Sequence, residues 1–210
     1  MKKAAVGFRV HSGWTALVAV SLEKGVLTVL SRQRVQLVET FSYKFRQPYH
    51  TAEKMRLEDA SKFISKIRTE AENLAYLSLH AVQVDLEKRG YQLDRGGLLL
   101  ASGRQLPELE KILASHALIH TADGELFREV LRGASARCGL RLACTKDREL
   151  LEHCAEAFSL SPAELQRRVT KLGRPFGSPW SQDEKFATLV SWLVLGTLRS
   201  RTQDLQSSPF

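Results

Sequence analysis

Apolar and β-branched residues open the chain in two dense runs, Val6 to Val10 and Thr15 to Val20, parted by the turn His11-Ser12-Gly13-Trp14. Runs of this length and composition suit buried strands. Glu23-Lys24-Gly25 turns the chain into Val26 to Leu30, and Arg34 to Val38 follows. The pattern leaves open whether Val26 to Leu30 extends the preceding hairpin or joins one strand reaching Val38. Phe41 to Tyr49 predicts irregular or extended chain, because the residue before Pro48 is biased away from helix.

From Ala52 the period changes. Met55, Ala60, Phe63, Ile64, Ile67, Ala71, Leu74, Ala75 and Leu79 recur at steps of three and four, while Glu58, Lys62, Lys66 and Glu70 take the other face. This predicts a long amphipathic helix running towards Lys88 and ended by Gly90. Leu98 to Ser102 suits a central buried strand, and Pro107 opens a helix holding Leu109, Ile112 and Leu113. Ala117 to Thr121 is open between a strand and a buried connection. Thr121 or Asp123 can cap the helix of Leu126, Phe127, Val130 and Leu131. Leu140 to Cys144 alternates as a strand does. Ser161-Pro162-Ala163-Glu164 combines a capping serine, a first-turn proline and a glutamate at the third position. Gly173 to Pro179 reads as a turn-rich linker, Ser181 begins a late helix, and Gln203 to Phe210 reads as a flexible tail. The order of strands and helices predicts one α/β domain over residues 1–202, a mixed sheet with helices on both faces.

Composition narrows the class. At 210 residues and 43% hydrophobic content the chain can bury a full core. The net charge of +8 tilts weakly towards polyanions such as nucleic acid, nucleotides or anionic lipid, but no run of five basic residues occurs, which favours a plain solvated surface. Cys138, Cys144 and Cys154 are odd in number and lack CxxC spacing, so reduced thiols in a cytoplasm are expected. Arg9 and His11 interrupt the first apolar run, which predicts no signal peptide. Phe186 to Leu198 is too short to span a bilayer. A soluble protein without a membrane partner is the expectation.

Candidate chemistry is sparse. His11-Ser12-Gly13 lies on a turn where small residues and backbone amides can approach a phosphate, or can simply close a hairpin. His120-Thr121-Ala122-Asp123-Gly124-Glu125 can form an acid–base pair or an anion site, or a plain helix cap. Thr145-Lys146-Asp147-Arg148 follows a predicted strand, at the edge where α/β sites form, and equally suits a surface ion pair. Arg167 and Arg168, with Lys171 and Arg174, make the best local basic patch for phosphate contacts, or a bare helix face. Trp192 belongs to the core, while Trp180 either anchors its loop or offers a stacking surface. No Walker, GxGxxG, HExxH or GxSxG motif occurs, and no cofactor is indicated.

The element order, the first turn Gly7 through Trp14 and the acidic start of the late helix, Asp183-Glu184-Lys185-Phe186-Ala187, resemble the ribonuclease H-like superfamily, in its Holliday-junction resolvase and YqgF-type branch. The resemblance implies a metal site shared by an acid at the first turn, one at the end of the middle strand and one on the late helix, with two metals clamping a phosphodiester. Here the first-turn position is His11 or Ser12, and the middle strand ends Ala101-Ser102-Gly103. Only Asp183 or Glu184 remains, too few oxygens for magnesium. The resemblance therefore implies a degenerate member that binds nucleic acid or a nucleotide without metal-dependent cleavage. Two other readings stay open. One is an enzyme on a phosphorylated or acidic small molecule using His11, His120 and Lys146. The other is a dimeric scaffold joined through the long helix or the Trp192 helix. The enzyme reading predicts that His11, His120 and Lys146 converge in one pocket, and whether His11, Asp183 and Ser102 line one cleft separates it from the nucleic-acid reading.

Overall fold

Alternation along the first strands sends side chains to two covered faces. In a computed structural model, which describes residues 1–101 and 105–206, with 197–206 as helix backbone alone, β1 (Lys2–His11) turns Ala4, Val6, Phe8 and Val10 to one core. Ala5, Gly7, Arg9 and His11 turn the other way, as a two-residue period requires. β2 (Trp14–Glu23) pairs antiparallel with β1 through Gly13, whose φ of +82° closes the turn. β3 (Val26–Gln36) is one continuous strand antiparallel to β2, with a bulge between Ala19 and Val20. That settles the open reading of Val26 to Val38.

The chain then crosses over. After α1 (Tyr43–Arg46) and α2 (Pro48–Ala52), the helix α3 (Leu57–Lys88) runs its stripe Ala60, Ile64, Ile67, Ala71, Ala75, Leu79, Val82 and Leu86 into the core. Glu58 and Asp59 favour its N-terminus and Gly90, at φ +82°, ends it. β4 (Tyr91–Leu100) returns parallel to β1, in register Gly7↔Gly97 and Phe8↔Leu98. α4 (Leu109–Leu113) and α5 (His116–Arg137) lead to β5 (Arg141–Lys146), parallel to β4. The sheet order is β3-β2-β1-β4-β5. α6 (Leu150–Phe158), α7 (Pro162–Leu172) and α8 (Gln182–Gln206) complete the chain, with α8 packed on β1, β2 and β4. α3 and α5 cover the opposite face. Leu57 and Leu77 stay exposed on α3, but the buried stripe of α3, and that of α8 as far as Leu195, is spent inside the molecule.

Three expectations need correction. Ala117 to Thr121 is neither strand nor connection but the first turns of α5, because Ile119, Ala122, Leu126, Phe127 and Val130 form one buried helical face. Ser115 is the N-cap, so neither Thr121 nor Asp123 caps that helix. Pro48 does not hold its segment extended: it sits at the first position of α2, where its missing N–H costs nothing. At the other end α8 continues through Gln206, into the segment read as a tail, and 207–210 lie outside the described residues. Among the described residues no helix is long and apolar enough to cross a membrane.

Candidate functional site

Arg9 and His11 stand two residues apart near the C-terminal end of β1, on the face that α8 covers. Gly7, next down the same face, lets α8 come unusually close: a Cβ there would lie 1.9 Å from the carbonyl oxygen of Ala187. Gly97, its register partner, would meet the backbone of Val190 at 2.8 Å. The start of α8 is fixed by a capping box. Ser181 Oγ accepts from the Asp183 N–H at 3.1 Å, and the Glu184 carboxylate accepts from the Ser181 N–H at 2.7 Å. Close packing and a rigid start together aim Asp183 at the end of β1.

There Asp183 Oδ1 lies 2.7 Å from His11 Nε2 and 3.6 Å from Arg9 Nε. The Arg9 guanidinium also contacts Asp147, just beyond β5, and passes 5.4 Å from the centre of the Phe186 ring. Its Nε is buried without a hydrogen-bond partner among the described residues. On the neighbouring α5, Arg128 donates to the carbonyl of Leu99 at 3.3 Å and pairs with Glu125. Burial holds the Arg128 guanidinium below its usual range; Glu125 opposes that, while Arg9 adds to it. The edge of the sheet thus carries alternating guanidinium and carboxylate groups.

A second feature adjoins it. The His11 and Trp14 rings stack 4.3 Å apart at 9°, and the Arg34 guanidinium lies 3.9 Å over Trp14. Arg34 also approaches Phe41 at 6.0 Å, and Arg46 covers Phe41 at 4.4 Å. Phe41 is 41% exposed. Arg46 is tied back to the turn by its Nε donating to Ser12 O at 3.2 Å, and Leu37 N donates to Gly13 O at 2.9 Å. The result is a ladder of flat cationic and aromatic groups at the rim of the β1–β2 turn.

No family model and no curated protein sequence matches the chain. Solved structures do. Thermus thermophilus RuvC in complex with Holliday junction substrate superposes with a TM-score of 0.56 at 11% identity, over 95% of this chain and 97% of that one. Thermus thermophilus RuvC itself gives 0.51 at 13% identity, with the same coverage. The yeast mitochondrial Holliday junction resolvase Ydc2 gives 0.50 at 10%, over 96% of this chain and 83% of that one. The fold is ribonuclease H-like. Two side chains of β1 stand beside the α8 acid: His11, as expected, and Arg9, two residues earlier on the same face. A magnesium centre does not fit these residues, because the guanidinium already lies between Asp147 and Asp183 as their cation. The end of β4, Leu99-Leu100, offers no carboxylate either.

Within this ribonuclease H-like edge the expected residues separate. His11 and Asp183 meet, while Ser102 lies outside the described residues. Ser12 and Gly13 contribute backbone carbonyls to the turn. Lys146 pairs with Glu149 at 3.1 Å, and His120 lies with His116 and His50 rather than with His11. Arg168 is held by Glu164 at 2.7 Å, whereas Arg167, Lys171 and Arg174 line one shallow depression beside α7. Trp180 anchors its loop by donating to Val169 O at 2.9 Å. Arg9, His50 and His116 escaped the sequence reading, whereas Asp147 lay in the Thr145 to Arg148 segment expected at the sheet edge. For Arg9 the signal was present: a charged residue in phase with Gly7 and His11 inside an apolar strand.

Proposed function

We propose that this ribonuclease H-like domain binds nucleic acid at the rim of the β1–β2 turn, and that Arg9 replaces metal-dependent cleavage with fixed positive charge. The observation that carries the reading is the ladder His11, Trp14, Arg34, Phe41 and Arg46. Guanidinium groups layered on aromatic rings, with Phe41 41% exposed among them, offer phosphate contacts and a platform for an unstacked base together. The net charge of +8 supports long-range attraction of a polyanion. The exposed Arg34 guanidinium suits a phosphate oxygen approaching the rim. The ribonuclease H-like neighbours include a RuvC bound to a Holliday junction, which makes branched DNA a natural probe.

Fluorescence anisotropy with a single strand, a duplex and a four-way junction, across a salt series, tests the reading. Binding that weakens steeply with salt and falls in Phe41→Ala supports it, as does the absence of magnesium- or manganese-dependent cleavage of the bound probe. No binding to any of the three at low salt overturns the first half. Cleavage that requires Asp183 and a divalent ion overturns the second.

A further inference from the structure

Away from the Arg9 edge, three imidazoles converge between α2 and α5. His116 and His120 are one helical turn apart on α5, with their Nε2 atoms 3.0 Å from each other. The His50 ring meets both edge-on, its centre 4.3 Å from that of His120 and 5.4 Å from that of His116. One donor nitrogen from each of the three lies within 4.8 Å of the others. Tetrahedral zinc with nitrogen ligands at about 2.0–2.1 Å sets its donors about 3.3 Å apart, so small side-chain rotations suffice.

A fourth residue strengthens the case. Asp123 lies one turn beyond His120 on the same face of α5 and is almost wholly buried. One of its oxygens accepts from the Tyr49 N–H at 2.8 Å and the other contacts His50 Nδ1. With Asp123 as carboxylate, that contact calls for the His50 proton on Nδ1 and leaves Nε2 as its donor atom. It is the arrangement in which a carboxylate orients a metal-bound histidine and raises its basicity. The carboxylate also offsets the unfavourable field of the α5 N-terminus on a cation. His116 and His120 are exposed, and core packing gives them no reason to converge.

We propose that His50, His116 and His120 form a site for a zinc-class divalent cation, with Asp123 as the positioning residue. Three imidazoles favour zinc, cobalt, nickel or copper and disfavour magnesium and calcium. The fourth position faces solvent on the His116 and His120 side, leaving room for a water or an exogenous ligand. Once filled, the site clamps α2 to α5 through bonds that neither short α2 nor its preceding loop can supply alone.

Titration of the untagged full chain with cobalt(II), followed by visible absorption, tests this. The expected result is one equivalent of four-coordinate cobalt, displaced by zinc. His116→Ala and His120→Ala, both exposed positions, lose the absorption while keeping the wild-type circular dichroism. Asp123→Asn weakens binding by about 10- to 100-fold. His80→Ala and His153→Ala bind as the parent does. The proposal is overturned if the parent chain gives no such spectrum. It is equally overturned if the spectrum survives in the His116 and His120 variants or disappears in the His80 or His153 variants.

Discussion

Arg9 Nε faces Asp183 Oδ1 at 3.6 Å across the junction of β1 and α8, and its guanidinium touches Asp147 on the other side. One side chain thus bridges two carboxylates brought in from distant parts of the chain. Removing the cation leaves both acids facing each other. Arg9→Ala is expected to cost about 1–3 kcal/mol in urea unfolding, the range for stranding partly buried charged partners.

Arg9→Asp should behave differently from Arg9→Ala. A third carboxylate then stands beside Asp147 and Asp183 in place of the guanidinium that bridged them, and millimolar manganese or magnesium becomes the natural counter-ion. The expected outcome is a lower melting temperature in chelator, largely recovered with manganese. The parent chain should show no such recovery at this site. A variant indifferent to manganese would mean that the three acids do not converge.

The rim ladder can be tested without disturbing the core. Phe41→Ala removes an exposed ring and should leave thermal stability unchanged, while weakening single-strand binding by about 1–3 kcal/mol. Arg34→Ala should lower the slope of log K against log salt by about 0.7, the value for one phosphate contact to a single strand. Equal losses with neutral and charged probes would point away from phosphate contact.

Gly7 and Gly25 separate two reasons for glycine. Gly7 is needed for space under Ala187, and Gly7→Ala should cost about 1–3 kcal/mol through overpacking. Gly25 has open space around it but a φ of +83°. Gly25→Ala should therefore cost only the backbone penalty, about 1 kcal/mol. Denaturation midpoints of the two variants check the order.

The three thiols should react in order of access. Cys144 is exposed, whereas burial raises the Cys138 thiol and pushes Cys154 up to about 12. The thiolate is the reactive form, so at pH 8 only about one Cys154 side chain in ten thousand is poised to react. Native labelling with a disulfide reagent should modify Cys144 first and Cys138 more slowly. Cys154 should appear only on unfolding.

Much of the architecture is legible in the sequence because it rests on local periods. Alternation gave β1 and β2, steps of three and four gave α3, and Ser161-Pro162-Ala163-Glu164 announced α7. Ala117 to Thr121 misled because three apolar residues followed by His120 and Thr121 fit either period until Ala122, Leu126 and Val130 are counted with them. The site was less legible for a different reason. His11 and Asp183 were both noticeable, yet Arg9 looked like an interruption of a strand. Only the glycine-floored approach of α8 turns it towards two acids. His50 and His116 stood in segments with no local signature beyond the one-turn spacing of His116 and His120, and their meeting depends on Asp123 reaching across to α2.

The close seating of α8 on the glycines of β1 and β4 has a consequence for synthesis. About 170 residues separate β1 from α8, which at 5–20 residues per second is roughly 10–30 s of translation. During that interval α3 and α5 can already cover one side of the sheet. Ala5, Ala16, Val18 and Val20 on the other side stay bare until α8 leaves the ribosome. The nascent chain therefore passes through a one-sided stage whose uncovered strip is a natural landing place for a chaperone, and a truncation before α8 should be the form that aggregates.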